Sequence, residues 1–160
     1  MVSDRASKTT VVILGASGDL TKRKLGPALF HLMKSDLLPD LCSFIGVARS
    51  ELSDEQFHSL LREGIDSASD SEWAKFSDQV TCFQASSTDS ASLKALDAQI
   101  SAACGDEYED DRIYYLALKP SLYPDTLLAL SEAGSINETT GSRRVVIENR
   151  SAPTTNLRGH

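Results

Sequence analysis

The sequence predicts an α/β domain in which a parallel β-sheet is flanked by helices. Short apolar runs, typical of strands buried on both faces, alternate with segments of helical spacing. This alternation implies βαβ units with right-handed crossovers. The chain has 160 residues, of which 41% are hydrophobic and 24% charged, so it can form one domain with its own core. We expect that domain at 9–148, between tails at 1–8 and 149–160.

The predicted strands are short runs rich in β-branched or aromatic residues. We expect an acidic turn at 105–111, directly before the fourth strand. The expected strands are 9–14, 43–48, 80–84, 112–118 and 143–148.

The helices are predicted from apolar residues spaced three and four apart. The first, at 20–34, contains Pro27, which is tolerated in a first turn and otherwise implies a kink or a late helix start. Ser53 and Gln56 have the pattern of a capping box that opens a helix reaching about residue 63. Further helices are expected within 66–79, where Trp73 and Phe76 are anchors, at 92–103, and at 124–133 before Gly134.

Composition limits the classes of partner. The net charge of −7 argues against nucleic acid or an anionic membrane surface. No apolar run approaches the roughly 20 residues of a membrane span, and residues 1–10 do not resemble a signal peptide. Cys42, Cys82 and Cys104 lack metal-ligand spacing, so we expect reduced thiols, no metal site and a cytoplasmic protein.

A glycine-rich segment joins the first strand to the first helix. Small residues there let the backbone approach a pyrophosphate, and the helix N-terminus offers free N–H groups. The spacing is not the full G-x-G-x-x-G, and the alternative is a plain strand-to-helix turn. Its placement favours a Rossmann-type dinucleotide site. The residues are Gly15, Ala16, Ser17, Gly18, Asp19 and Leu20.

Arg49 follows the second strand directly. NAD sites place an acidic residue there for the ribose 2′-hydroxyl, whereas an arginine suits a 2′-phosphate. Ser50 is suited to assist, and the nearby Glu51 counts against this interpretation. The alternative is a solvated surface arginine. The position therefore favours NADP as the cofactor.

Four blocks of sequence resemble the glucose-6-phosphate dehydrogenase family over residues 9–148. They are GASGDLTKRKLGPALFHL, GVARSELSDEQF, RIYYLALKPSLY and RRVVIE, in this order. The resemblance implies that NADP is bound by residues 15–20, with Arg49 on its 2′-phosphate. It also implies that Lys24 lies where nicotinamide and sugar meet, whereas Lys22 and Arg23 are interpreted as a solvated basic turn.

The resemblance also assigns the segment after the fourth strand. It implies that Ala117, Lys119 and Tyr123 line the nicotinamide side of the site. The family usually has Leu-Pro-Pro here, but this chain has Leu118, Lys119 and Pro120. Tyr114 and Tyr115 are interpreted as core packing.

The family reaction is hydride transfer from glucose 6-phosphate to NADP, giving 6-phosphogluconolactone in the oxidative pentose phosphate pathway. After the fifth strand the family has Glu-Lys-Pro-Phe-Gly, but this chain has Glu148 followed by Asn-Arg-Ser-Ala. We therefore expect this chain to lack that lysine, the second α+β domain, the His/Asp pair and most association surfaces of the homo-oligomer. The chain alone is therefore expected to hold no catalytic residue and to be inactive, while glucose 6-phosphate is the partner of the full-length enzyme.

The tail at 149–160 has the form of a frameshift. Residues 148–160 can be encoded by a set of codons in which one added A after the Glu148 codon shifts the reading frame. The shifted frame then encodes Glu-Lys-Pro-Phe-Gly, the family sequence, so we interpret the tail as the product of a one-base frameshift. One alternative is a free-standing NADP-binding module or sensor without catalysis. Another is a short nucleotide-sugar oxidoreductase, which would need a Tyr-x-x-x-Lys pair and is less favoured.

Overall fold

The computed structural model of the chain describes residues 7–18, 21–38, 41–65, 68–105, 108–138 and 141–147. The predictions made for Asp19, Leu20, Glu148 and the two tails beyond these ranges lie outside the described residues. The described strands form one parallel five-stranded sheet in the order β3-β2-β1-β4-β5. The predicted Rossmann-type α/β class is therefore confirmed.

The strand interiors lie where the sequence predicts them, but β1 begins at Ser7, within the predicted tail 1–8, and β4 also begins earlier than predicted. It pairs with β1 from Ser7↔Glu109 onward and ends at Leu116. The prediction of an acidic turn is therefore wrong for residues 109–111. The reason is that Asp110 pairs with a buried arginine and Asp111 accepts from Ser142 N over 2.8 Å, so neither carboxylate marks a turn. The strands are β1 Ser7–Leu14, β2 Cys42–Ala48, β3 Val80–Gln84, β4 Glu109–Leu116 and β5 Arg143–Ile147.

The late start of the first helix is explained by a π-helical turn, Thr21–Leu25, that precedes it. The α-helix begins at Gly26, and Pro27 falls within its first turn. The capping box of Ser53 and Gln56 is confirmed by bonds of 3.1 and 2.9 Å between side chain and backbone. The helices are α1 Gly26–Lys34, α2 Asp54–Glu63, α3 Asp70–Ser77, α4 Ser90–Cys104 and α5 Tyr123–Ala133. None of them, within the described ranges, combines the length and the hydropathy that crossing a membrane requires.

The core has two layers, one on each face of the sheet. Helices α1, α2 and α3 cover one face, where the anchor Phe76 packs edge-on against Phe30 and beside Trp73, with ring centroids 5.6 and 5.8 Å apart. Helices α4 and α5 cover the other face through Leu93, Leu96 and other apolar side chains. Most residues of β1 and β2 are thus buried on both faces, as their continuous apolar runs predict, whereas in β4 only alternate residues are buried.

An ion-paired network not predicted from the sequence lies beneath α4. The Arg112 side chain is 3% exposed and pairs with Asp110 at 2.7 Å and with Asp97 at 3.1 Å. Tyr114 donates to the same Asp97 carboxylate over 2.8 Å, and Arg112 donates to Ser101 over 2.7 Å. Because Asp97 and Ser101 belong to α4, the network fixes that helix to β4.

We expect Arg112→Met to destabilise the fold strongly. The substitution keeps much of the side-chain volume but leaves the buried carboxylate of Asp110 and the partly buried carboxylate of Asp97 without their cation, which typically costs about 3–5 kcal/mol. Urea unfolding of both proteins measures the difference. Arg144→Met on the exposed side of β5 is the matched control and is expected to change stability by less than about 0.5 kcal/mol. Equal unfolding midpoints for the two variants would contradict the structural role of the network.

Alkaline pH is expected to destabilise the protein. Burial raises the pKa of Tyr114 to about 12 and that of Cys42 to about 11, from ordinary values of 10.0 and 9.0. The folded state therefore keeps protons that the unfolded state releases, so the free energy of unfolding falls as pH rises from about 9 towards 12. Urea unfolding across that range measures the slope. Tyr114→Phe should have a shallower slope above about pH 10, and an unchanged slope would refute this assignment.

Candidate cofactor-binding site

A cleft of about 480 Å³ lies at the carboxyl ends of the strands. It opens where the sheet order reverses, since β1 has β2 on one side and β4 on the other. Open α/β sheets bind ligands at this switch point, and the volume is in the ordinary range for a ligand pocket. The lining residues come from the ends of four strands and are Gly15, Ser17, Gly18, Val47, Ala48, Arg49, Ala85, Ser87, Thr88, Ala117, Leu118, Lys119, Ser121 and Leu122.

The turn after β1 is held between β2 and β4. Gly15 N and Ala16 N both donate to Val47 O over 3.0 Å, and Gly18 N closes the turn on Gly15 O over 3.1 Å. Gly15 has φ +91°, and a Cβ there would overlap the carbonyl of Ala117. Both its backbone angle and its surroundings therefore require glycine, as a site of close backbone approach does.

The floor beneath this turn is equally tight. Ala16 is fully buried, and a Cβ on Gly46 of β2 would stand 2.9 Å from the Ala16 Cβ. The same Cβ would stand 2.5 Å from the ring of Phe57 on α2. The absence of a side chain at Gly46 thus lets α2 and the turn share one face of β2.

The three basic residues after the turn all lie in the π-helical segment. Thr21 Oγ1 donates to Gly15 O over 3.3 Å, which ties this segment back to the glycine turn. Lys22, predicted to be simply solvated, forms an ion pair of 2.7 Å with Glu63 at the end of α2. Lys24 is exposed and is not among the described residues that line the cleft.

Arg49 lies at the rim of the cleft, directly after β2, and is exposed. Its carbonyl accepts from Gln84 Nε2 at the end of β3 over 3.1 Å, which fixes the backbone at this position. No ion pair joins Arg49 to Glu51 among the residues that the structure describes. The guanidinium is therefore accessible to an anion in the cleft.

The segment after β4 forms the opposite wall. Ala117 is buried and its N–H donates to Leu14 O over 2.8 Å, while Lys119 is exposed at the start of a 3₁₀ turn, Pro120–Leu122. Tyr123 packs against the core beneath α5 and does not line the cleft. The structure thus brings Ala117 and Lys119, but not Tyr123, to the cleft formed by the glycine turn.

The loop after β3 was missed by the sequence analysis. Ala85, Ser87 and Thr88 line the cleft, as do Ser121 and Leu122 after β4. Serines and threonines are common in loops, so their residue type carries no signal. Their position does carry a signal. The carboxyl ends of all parallel strands lie at the same edge of the sheet, and the sequence predicts the third strand directly before this loop.

Tyr115 and Lys119 have the Tyr-x-x-x-Lys spacing required by the less favoured oxidoreductase class. They do not lie on a shared helix face, because Tyr115 is on β4 and Lys119 is in the turn after it. Tyr115 packs against the core under α1–α3, whereas Lys119 lines the cleft. The spacing therefore does not create a catalytic pair.

The chemistry of the cleft is that of anion binding. Arg49 lies on one side of the cleft and Lys119 on the other, so each side carries a cation. The backbone segments between them are suited to bind phosphate oxygens. No carboxylate or imidazole is present among its described lining residues. A second cleft of about 500 Å³ at the opposite edge is bordered by the C-terminal ends of α3 and α4, whose dipoles disfavour anions.

Comparison with known proteins places the chain in a family. Residues 12–150 match the family model described as "Glucose-6-phosphate dehydrogenase, NAD binding domain". The chain is 35% identical over 149 residues to glucose-6-phosphate 1-dehydrogenase of Aggregatibacter actinomycetemcomitans and 32% identical over 145 residues to that of Leuconostoc mesenteroides. These matches cover 90% and 88% of this chain but only 30% and 29% of the relatives.

A solved structure gives the same result. The chain superposes with a TM-score of 0.79 and 28% identity on a glucose-6-phosphate dehydrogenase in complex with its substrate glucose 6-phosphate, covering 95% of this chain and 32% of that one. The chain thus spans about a third of the length of that protein. The fold, the glycine turn at its switch point and these matches agree. The chain belongs to the glucose-6-phosphate dehydrogenase family and corresponds to its NAD-binding domain.

Proposed function

We propose that this chain is the NADP-binding part of a glucose-6-phosphate dehydrogenase, the enzyme that oxidises glucose 6-phosphate to 6-phosphogluconolactone in the cytoplasm. The observation that carries the proposal is the meeting of the glycine turn and Arg49 in one cleft at the switch point. The relatives carry that name, and the chain covers their amino-terminal third at most. The full reaction is therefore assigned to the longer protein.

The cleft fits a dinucleotide in shape and charge. The missing Cβ of Gly15 lets the turn after β1 lie against β4, which leaves the mouth of the cleft open for a diphosphate. Asp19 and Leu20, which lie outside the described residues, are further cofactor-binding residues in this proposal. Arg49 binds the 2′-phosphate, and this contact selects NADP over NAD because a charge-assisted bond to arginine is stronger than one to a neutral hydroxyl.

The wall after β4 receives the nicotinamide half. Ala117 and Lys119 border this side, and Tyr123 supports it from below. Lys24, on the π-helical segment and outside the lining of the cleft, is in this proposal the residue near the place where nicotinamide and sugar meet. Bound NADP supplies the acceptor for the hydride that leaves C1 of the sugar. The residues of this chain bind and orient the cofactor, and the proton acceptor belongs to the remainder of the longer enzyme.

Replacing Arg49 with leucine should lower the preference for NADP over NAD. Loss of the guanidinium is expected to weaken NADP binding by about 10- to 100-fold and NAD binding by less than about 3-fold, since only NADP carries the 2′-phosphate. Titration calorimetry with both cofactors measures the two dissociation constants. Arg144→Leu, an exposed arginine on β5, is the matched control and should bind both cofactors as the parent chain does. Equal losses for NADP and NAD in Arg49→Leu would refute the assignment.

The chain alone is expected to bind NADP without turning over glucose 6-phosphate. No described residue lining the cleft is a carboxylate or an imidazole able to take the hydroxyl proton. NADPH formation, followed by its absorbance, measures turnover, and the full-length enzyme of Leuconostoc mesenteroides serves as the positive control. A substrate-dependent signal that follows the pure chain through successive purification steps would overturn this expectation.

A further inference from the structure

The π-helical turn Thr21–Leu25, which carries Lys24, lies against the carboxyl end of α2. Gly64 follows α2 directly, and a Cβ at this position would overlap the carbonyl oxygen of Lys22. The backbone angles of Gly64, φ −90° and ψ −4°, are accessible to residues with side chains. The close approach to the π-helical turn, and not the backbone conformation, is therefore what requires glycine here.

Two further contacts join α2 to the same turn. A Cβ on Gly26, where α1 begins, would stand 2.9 Å from the Leu61 side chain and 3.1 Å from the Thr21 carbonyl oxygen. Lys22 forms its ion pair of 2.7 Å with Glu63, whose side chain is 63% exposed. An exposed ion pair adds little to stability. Its effect is to direct the Lys22 side chain towards α2.

Helix α2 is itself fixed to the sheet, so it can act as a rigid support. Asp54 Oδ1 accepts from Cys82 N over 2.8 Å, and His58 Nε2 donates to Val80 O over 2.7 Å. Phe57 is fully buried in the core between α2 and the sheet. These contacts fix the helix along its length, and its carboxyl end therefore meets the π-helical turn at a defined place.

We propose that the carboxyl end of α2, through Gly64 and Glu63, positions the π-helical turn so that Lys24 is presented to the nicotinamide half of the cofactor. The inference rests on the proposed function, which assigns Lys24 to that half. Turns of π-helix are rare and often lie at functional sites. Lys22 is directed to Glu63, while Lys24 is exposed on the same turn. Gly64 and Glu63 are thus positioning residues that act through the turn without touching the cofactor.

Two ligands separate this role from general support of the fold. NADP contains the nicotinamide half, whereas adenosine 2′,5′-bisphosphate has only the half assigned to Arg49. Gly64→Ala should weaken NADP binding by about 3- to 10-fold, because the displaced turn carries Lys24 away from its ligand. The affinity for adenosine 2′,5′-bisphosphate should change by less than about 2-fold. Titration calorimetry on the full chain measures both dissociation constants.

Glu63→Gln tests the same role with little risk to folding, because this side chain is largely exposed. By Coulomb attraction alone, removing a negative charge near the turn would strengthen the binding of an anionic cofactor. Loss of positioning has the opposite sign, so we expect NADP to bind about 2- to 3-fold more weakly. Glu132→Gln, an exposed glutamate on α5, is the matched control and should bind NADP as the parent chain does.

A double-mutant cycle shows whether the effect passes through Lys24. Lys24→Met should itself weaken NADP binding. In that background neither Gly64→Ala nor Glu63→Gln should weaken it further, because residues that act through one contact are not additive. Urea unfolding of each variant verifies that the folded state is retained, and Glu63→Gln decides the test if Gly64→Ala does not fold.

Several results would overturn the proposal. Unchanged or tighter NADP binding in Glu63→Gln would refute the positioning role and leave the proposed function intact. Equal losses for NADP and adenosine 2′,5′-bisphosphate would show that α2 supports the whole site, and a further loss in the Lys24→Met background would exclude Lys24 as the route. A parent chain that binds neither ligand would refute the proposed function, and this inference with it.

Discussion

The close approach of three backbone segments at the end of β1 is the constraint on which the candidate site depends. Val47 O accepts hydrogen bonds from two successive residues of the turn, and the other side of the turn lies against Ala117. Only a residue without a side chain fits at Gly15, and Gly46 meets the same requirement from below. The shape of the cleft therefore results from backbone contacts between β1, β2 and β4, while the side chains at its rim supply charge.

The polar network under α4 provides the second level of organisation. Arg112 is buried and pairs with the buried Asp110 and the partly buried Asp97, so α4 is fixed by directional bonds and not by apolar packing alone. Ser135, after α5, donates to the same Asp97 carboxylate over 2.5 Å. Two helices and β4 thus share one acidic residue. Buried ionic groups of this kind contribute to a defined arrangement more clearly than to net stability.

Much of the fold could be predicted because apolar runs and capping patterns are local signals. The capping box at Ser53 required only its own segment, and the strand interiors required only their β-branched residues. The start of β4 could not be predicted. Aspartate is typical of turns, and only the structure shows that Asp110 pairs with the buried Arg112. In the site, the glycine turn and Arg49 were found by position. Ser87 was missed because its burial depends on α5, a distant segment of the chain.

The central position of β1 also determines when the site can exist during protein synthesis. β1 pairs on one side with β2, for example Thr9 with Cys42, and on the other side with β4, for example Ser7 with Glu109. The β4 partners lie much further along the chain than the β2 partners. A ribosome delivers the chain from its amino end, so the pairing of β1, β2 and β3 is available long before β4 has emerged. Until then the turn after β1 has one wall and no crevice. The wall of the cleft that contains Ala117 and Lys119 is therefore absent from the nascent chain until the segment after β4 has emerged from the ribosome.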